Sequence, residues 1–126
     1  MLKDVCLTDA HTCAEMDAFN ATETDWPETD IVSMFRATAE KNPDREAVIF
    51  KDEVLSYGEV DECSERIAGF LRANGVGSGT VVSILIHRGS AMVTATLGAL
   101  KTGAAYQPLD PGYPQERLDF MMKDED

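Results

Sequence analysis

The four residues HRGS, at positions 87–90, combine groups that are able to bind an anion. They follow an apolar stretch and open a helical one, and open α/β sheets bind their ligands at such carboxyl ends of strands. The Arg88 guanidinium, the Gly89 N–H and the Ser90 hydroxyl could then hold an anion together. The alternative, which we favour, is that Ser90 caps the helix and Arg88 pairs with a surface carboxylate.

His87 is the residue of this group that could act as a general base near neutral pH. No second member of a catalytic constellation lies beside it in the sequence, so a histidine at the edge of a loop is the simpler account. Elsewhere we find no nucleophile–base pair, no paired catalytic carboxylates and no metal-ligand cluster. We therefore predict no catalytic, cofactor-binding or metal-binding residue in this chain.

Two segments rich in glycine or proline have the composition of ligand loops, yet both are predicted to be structural. GVGSG, at 75–79, lies between a helix and a strand, whereas a phosphate loop lies between a strand and a helix. These glycines are therefore predicted to be turn residues. In PLDPGYP, at 108–114, proline stiffens the backbone, and Asp110 and Tyr113 either face a ligand or brace the turn. We favour bracing.

Composition and charge argue against one class of function. The net charge of -12 argues against nucleic-acid binding, which requires a basic surface. Residues 1–66 hold 17 acidic and six basic side chains, whereas residues 67–126 hold six and five. The acidic half is predicted to be a solvated surface that keeps the protein soluble, with a docking face for a basic partner as the alternative.

Cysteine usage points to a reducing compartment. The three cysteines, Cys6, Cys13 and Cys63, include no C-x-x-C pair, and the two histidines are far apart, so no zinc site is predicted. Free thiols, together with the lack of a signal-peptide pattern or a run of spanning length, favour the cytoplasm and no membrane contact.

The N-terminal residues 1–29 are predicted to be a linker of the interdomain type. A weak helix could begin near Thr8 or Asp9 and end at Asn20. The polar stretch that follows contains one large apolar residue, Trp26, which is expected to pin the linker to the surface.

Residues 30–126 are predicted to be the N-terminal part of an incomplete α/β domain. A helix capped by Asp30 ends at Asn42-Pro43, and strands at 46–51 and 54–56 form a hairpin around Asp52-Glu53. The next helix begins with an S-x-x-E capping box and ends before Gly75. Its apolar face is predicted to contain Val60, Cys63, Ile67, Phe70 and Leu71.

The second half of the chain predicts a βαβ unit with parallel strands. A strand at 81–86, apolar enough to be buried on both faces, is followed by a helix at 90–102 and a strand at 105–109. A last helix covers 114–123. Because the helix at 90–102 is apolar around its whole circumference, it is expected to be buried, and the folded unit is expected to extend beyond residue 126.

Two segments resemble core motifs of the adenylation domains of nonribosomal peptide synthetases. They are LSYGEV, at 55–60, and LKTGAAYQPLDPGYPQERLDFM, at 100–121. The family patterns run roughly L-[TS]-Y-x-E-L and L-K-A-G-x-A-Y-V-P-[IL]-D, and the second continues P-x-Y-P-x-E-R. This chain departs from them at Val60, Thr102 and Gln107. The preceding FNATETDWP is similar to the linker that follows a condensation domain in such synthetases.

The resemblance implies a Rossmann-like first subdomain of an adenylate-forming enzyme. Such domains use ATP and magnesium to convert an amino acid into its aminoacyl adenylate with release of pyrophosphate. They then load it onto the phosphopantetheine thiol of a carrier protein. In the family the phosphate loop, the nucleotide contacts and the amino-acid pocket lie after the two motifs seen here. The implied partners are therefore the rest of the domain and neighbouring condensation and carrier domains, and this chain alone is predicted to be inactive.

Two alternatives have different consequences. The parent could be an acyl- or aryl-CoA ligase of the same superfamily, although the linker and DPGYPQERL favour the peptide-synthetase type. The chain could instead be a stand-alone, non-catalytic interaction module that uses its acidic half. Truncated apolar surface also predicts self-association of the isolated chain.

Overall fold

A computed structural model describes residues 9–123, and the structural statements below concern these residues. Predictions that involve Thr8, Cys6 or either chain end therefore lie outside them. The chain order is α1 (Ala10–Asn20), α2 (Ile31–Lys41), β1 (Glu46–Phe50), β2 (Glu53–Ser56), α3 (Tyr57–Ala73), β3 (Val81–Leu85), α4 (Ser90–Lys101), β4 (Ala105–Leu109) and α5 (Gln115–Lys123). The predicted α/β class is confirmed. No helix in residues 9–123 is both long and apolar enough to cross a membrane.

The first helix, α1, begins where the sequence predicts because Asp9 caps it. The Asp9 carboxylate accepts a hydrogen bond from the Thr12 N–H at 2.8 Å. None of the residues of α1 is buried, and Trp26 in the following stretch is 79% exposed. The expectation that Trp26 pins the linker down is therefore wrong for the described part of the chain, which offers this indole no apolar recess.

The β1–β2 hairpin and α3 follow the predicted order. The two strands pair antiparallel, with Lys51 and Asp52 as the connection, one residue earlier than the sequence suggested. Ser56 and Glu59 form the complete capping box at the start of α3. At its end Gly75 adopts a φ of 83°, and its N–H reaches the Arg72 carbonyl at 3.0 Å, so the glycines after α3 are turn residues as predicted.

Strands β3 and β4 lie side by side in parallel, with α4 as the connection, which confirms the βαβ unit. Val81 faces Ala105, and Leu85 faces Leu109. Their carboxyl ends therefore meet at one edge, where the HRGS and PLDPGYP segments both begin. Pro114 precedes α5 and accepts hydrogen bonds from the Arg117 and Leu118 N–H groups.

The core lies mainly between α3 and α4. Its fully buried members include Val60, Ala68, Ala99 and Leu109. Gly98 of α4 lies so close to α3 that a Cβ atom there would be 2.5 Å from Ile67 Cγ2 and 3.2 Å from the Ser64 carbonyl oxygen. Small residues on both helices therefore permit the close approach of α3 and α4.

Two predictions of burial are wrong in the described residues. Phe70 is 69% exposed, because the buried stripe of α3 runs through Val60, Ser64 and Ala68 instead. In β3 only Ile84 is buried, whereas Val81 and Leu85 are 44% and 48% exposed, so one face of the strand is covered and the other is open. On α4, by contrast, Val93 is 38% exposed and lines an open apolar groove together with Tyr106, which agrees with the expectation that this chain is too small to cover the helix on every side.

A cluster of charged side chains joins α2, α3 and α4 at the end of α4. The side chain of Lys101 has no exposed surface, and its Nζ lies 2.7 Å from Asp61 Oδ1 and 3.4 Å from Glu65 Oε2. Glu65 also accepts from Arg36 at 3.0 Å and from Arg72 at 3.1 Å. Arg72 donates a second hydrogen bond to the Lys101 carbonyl, which satisfies one of the last carbonyls of α4.

This cluster predicts a loss of stability in acid. The hydrogen bond from Arg72, then those from Arg36 and Lys101, lower the pKa of Glu65 from 4.5 to about 2. A carboxyl group with a depressed folded-state pKa stabilises the fold above its unfolded pKa, and the contribution is lost as the pH falls from about 4.5 towards 2. Because the Glu65 side chain is 47% exposed, solvent screening limits the loss to about 1 kcal/mol.

Urea unfolding of the wild type and of Glu65→Gln, in steps from neutral pH to about pH 3, checks this prediction. The wild type should be the more stable protein near neutral pH, and the difference should shrink continuously below about pH 4.5. A difference that does not change with pH would show that the Glu65 charge does not stabilise the fold.

Candidate functional site

An open cleft of about 580 Å³ lies at the carboxyl ends of β3 and β4. This is where open parallel sheets bind ligands. The lining residues come from the two loops that follow these strands and from the first turn of α4: Ile86, His87, Arg88, Met92, Pro108, Leu109, Asp110 and Tyr113. Apolar side chains thus form much of the cleft, and titratable groups occupy the two loops on either side of it.

The β3 side of the cleft carries His87 and Arg88, both exposed. The expected ion pair between Arg88 and a surface carboxylate does not form among residues 9–123, where the ion pairs of arginine side chains are those of Arg36 and Arg72. Because Arg88 keeps its donors exposed at the cleft, this rim can attract an anionic group. His87 has no neighbouring carboxylate that would orient it as a base within the described residues.

Ser90 does not join this rim, contrary to both interpretations of the HRGS segment. The residue at the N-cap of α4 is Gly89, without a side-chain cap, and Ser90 is only 6% exposed. Its hydroxyl donates a short hydrogen bond to the Glu53 carboxylate of β2. The hairpin therefore places its own carboxylate beside the positive end of α4, at the position that the sequence suggested for a bound anion.

The hairpin also contacts the residue before Ser90. The Phe50 ring lies close enough to Gly89 that a Cβ atom there would be 3.8 Å from two ring carbons. Sequence reasoning missed the contact between Glu53 and Ser90 because the two residues are 37 positions apart and neither belongs to a recognisable motif. It holds the HRGS segment in place but adds no group to the cleft.

On the β4 side, Asp110 and Tyr113 brace the turn, as the favoured prediction states. The Asp110 carboxylate accepts the Gly112 N–H at 2.8 Å, and the Asp110 carbonyl accepts the Tyr113 N–H at 3.0 Å. The Arg117 guanidinium lies 4.6 Å from the centre of the Tyr113 ring. These contacts make the PLDPGYP segment a rigid wall of the cleft.

The arrangement can hold a ligand, and no hydrogen bond among the described residues pairs His87 with a nucleophile. In residues 9–123 no group of three or more His, Cys, Asp and Glu side chains could hold a metal ion. The one hydroxyl of the HRGS segment is buried against Glu53 and does not line the cleft. The structure therefore brings His87, Arg88, Asp110 and Tyr113 around one cleft and leaves Ser90 outside it.

The fold and the motifs at 55–60 and 100–121 point to one family of enzymes. Residues 35–126 match the model of the AMP-binding enzyme family, which covers most of the chain. The chain belongs to the AMP-binding enzyme family. The resemblance to adenylation domains of nonribosomal peptide synthetases is confirmed as well, because the relatives described next are synthetases of that kind.

Two curated relatives are peptide synthetases of much greater length. The chain is 43% identical over 126 residues to bacitracin synthase 1 of Bacillus licheniformis, covering all of this chain and 2% of the relative. It is 40% identical over 116 residues to tyrocidine synthase 2 of Brevibacillus parabrevis, covering 92% of this chain and 3% of the relative. The chain thus spans only a few hundredths of the length of either protein.

A solved structure supports the same assignment of fold. The nonribosomal peptide synthetase FmoA3, bound to α-methyl-L-serine-AMP, superposes with a TM-score of 0.83 at 28% sequence identity. The superposition covers 95% of this chain and 14% of that chain. The described helices and strands are therefore arranged as in a known adenylating synthetase.

Proposed function

We propose that residues 30–126 are scaffold of an amino-acid-activating adenylation domain and that residues 1–29 are an interdomain linker. The parent reaction joins ATP and an amino acid to give aminoacyl-AMP and pyrophosphate. It then transfers the aminoacyl group to a carrier protein's phosphopantetheine thiol and releases AMP. The observation that carries the proposal is the family match over residues 35–126, and the hydrogen bond that braces Asp110 in one wall of the cleft agrees with a scaffold role.

The role of this chain in that reaction is positional. The β3–α4–β4 unit fixes one wall of the cleft, and the bonds of Asp110 and Tyr113 keep that wall rigid. When they are bound, ATP would supply the adenylyl group with pyrophosphate as the leaving group, and magnesium would neutralise phosphate charge. No step of the reaction is assigned to residues 9–123, because in the family the phosphate loop and the nucleotide contacts lie after the two motifs of this chain.

The isolated chain is therefore expected to lack adenylation activity. Amino-acid-dependent exchange between ATP and labelled pyrophosphate, assayed with each proteinogenic amino acid, should remain at the level of a blank without protein. A complete adenylation domain serves as the positive control in the same buffer. Exchange that depends on one amino acid and on the 126-residue chain would refute the proposal that these residues are scaffold.

The groove beside α4 supports a further part of the proposal, that the rest of the adenylation domain covers this surface. The groove has a volume of about 420 Å³ and is almost entirely apolar, and Ile31, Val93 and Tyr106 along it are 61%, 38% and 41% exposed. Apolar patches of this kind mark protein interfaces or cause association.

In isolation the chain is expected to self-associate through this groove. Sedimentation velocity should show a mass that rises with protein concentration, and added salt should strengthen association because it screens the net charge of -12. Val93→Glu should weaken association, whereas the matched change at an exposed site on α5, Phe120→Glu, should not. A monomer at all concentrations and salt conditions would contradict the prediction.

A further inference from the structure

Residues 9–30, which we call the N-terminal segment, expose large apolar side chains. Phe19, Trp26 and Met16 are 83%, 79% and 52% exposed. No residue of the segment is buried, and only Thr12 and Cys13 are partly covered. Residues 9–123 thus provide no recess for these three side chains, although aromatic residues are the usual anchors of protein interfaces.

The segment is also uniformly acidic. It contains seven Asp and Glu residues and no Lys or Arg. Asp9 and Asp30 cap α1 and α2 through the N–H groups of Thr12 and Ser33. Among the described residues the segment forms one ion contact, in which His11 lies 3.6 Å from Glu15. Its remaining carboxylates, which are those of Asp17, Glu23, Asp25 and Glu28, have no cation beside them in the described part of the chain.

Charge argues against the chain itself as the surface that covers the segment. Residues 31–126 hold 15 acidic and ten basic side chains, so the rest of the chain is itself acidic. A second copy carries a net charge of -12 and would repel the segment further. The segment also lies outside the family match, which begins at residue 35. It is nevertheless part of the alignment with bacitracin synthase 1, which covers all of this chain.

We propose that the N-terminal segment docks on a protein surface in which lysine and arginine side chains surround an apolar recess. Trp26 and Phe19 would fill the recess, where desolvated aromatic anchors supply most of the affinity. The surrounding carboxylates would pair with the basic rim, which steers encounter and rejects acidic surfaces. This surface is separate from the cleft and from the apolar groove, and the inference does not depend on the adenylation reaction.

Trp26 reports such docking directly because it is the only tryptophan of the chain. The probe is a tryptophan-free helical peptide with leucine and phenylalanine on one face and lysine and arginine on the other, titrated into the full 126-residue chain. Two matched peptides are controls, one with every basic residue changed to glutamate and one with every apolar residue changed to serine. The first removes charge attraction, and the second removes the apolar face.

The basic apolar peptide should shift Trp26 emission to shorter wavelength in a saturable way, and both control peptides should bind at least about tenfold more weakly. Raising the salt from about 0.05 M to about 0.5 M should weaken binding by roughly tenfold. Phe19→Ala should weaken it about fivefold or more, whereas Phe70→Ala, which removes a phenylalanine 69% exposed on α3, should not.

Each of the other outcomes overturns the proposal. No saturable shift with the basic apolar peptide means that the segment is not a docking site of this kind. An equal response to the serine peptide means attraction by charge alone, and an equal response to the glutamate peptide means unspecific apolar contact. Equal weakening by Phe70→Ala and Phe19→Ala places binding on another surface.

Discussion

Replacing Gly98 by alanine is expected to lower the free energy of unfolding by about 2–3 kcal/mol, because the close approach of α3 and α4 leaves no room for a methyl group. The new Cβ would lie 2.5 Å from Ile67 Cγ2, 2.7 Å from Ile67 Cβ and 3.2 Å from the Ser64 carbonyl oxygen. Rotation about χ1 of Ile67 moves Cγ2 but leaves Cβ in place, so it cannot remove every clash. The two helices must therefore separate, which loosens the main core. Urea unfolding followed by far-UV circular dichroism measures the change.

Gly69 supplies the matched control. It lies in the interior of α3, and a Cβ atom there would meet nothing within 4 Å. Alanine at this position should stabilise the protein by about 0.5–1 kcal/mol, because it reduces the conformational freedom of the unfolded chain. Opposite signs for Gly98→Ala and Gly69→Ala would confirm that packing decides the effect at Gly98. A stabilising effect at both sites would contradict the helix contact described here.

Replacing Lys101 by methionine is expected to cost about 2–3 kcal/mol of stability. Methionine replaces most of the buried aliphatic part of the Lys101 side chain but removes the ammonium group that pairs with Asp61 and Glu65. Removing one partner of a fully buried ion pair costs about 3–5 kcal/mol, because the other charge is left without compensation. Here the two carboxylates are 41% and 47% exposed, so water recovers part of the loss. Thermal and urea unfolding should both report the change.

Lys41 provides the control for Lys101, because each is the basic residue in the last turn of its helix. Lys41 is exposed and has no ion pair among the described residues, so Lys41→Met should change stability by less than about 0.5 kcal/mol. If both substitutions had the same small effect, the buried position of Lys101 would not matter to the fold.

The order of helices and strands could be predicted from the sequence because its signals are local. Asp30 caps α2, and the pair of Ser56 and Glu59 caps α3, through residues at most three positions apart. The turn at Gly75 and the strand–helix–strand order after residue 80 depend on equally short patterns. Such signals survive folding because the atoms involved are neighbours in any compact state.

Burial was predicted less well because it depends on the surrounding elements. The spacing of hydrophobic residues predicts Phe70 on the buried face of α3. In the structure α4 lies so close to α3 that the small residues Ser64 and Ala68 form the buried face instead. The same reasoning placed β3 between two covered faces, but the described chain covers only one. A sequence pattern shows that a residue favours burial and does not show which partner covers it.

The candidate site was predicted in part, for the same reason. Proline and glycine in PLDPGYP implied a rigid turn, and the bonds of Asp110 and Tyr113 are of that kind. Long-range hydrogen bonds could not be predicted from the sequence. Glu53 and Ser90 are 37 positions apart, and Asp61 and Lys101 are 40 positions apart. The first contact changes the chemistry available at the cleft, because it commits to the fold the Ser90 hydroxyl, which the sequence leaves open for a ligand.

The most direct test of the scaffold proposal is an exchange of segments between enzymes. Residues 35–126 would replace the aligned region in one adenylation domain of tyrocidine synthase 2, which is 40% identical to this chain over 116 residues. A folded chimera should retain ATP–pyrophosphate exchange with the amino-acid preference of the recipient domain. A folded chimera that prefers another amino acid, or that has lost exchange entirely, would contradict the assignment of these residues as scaffold.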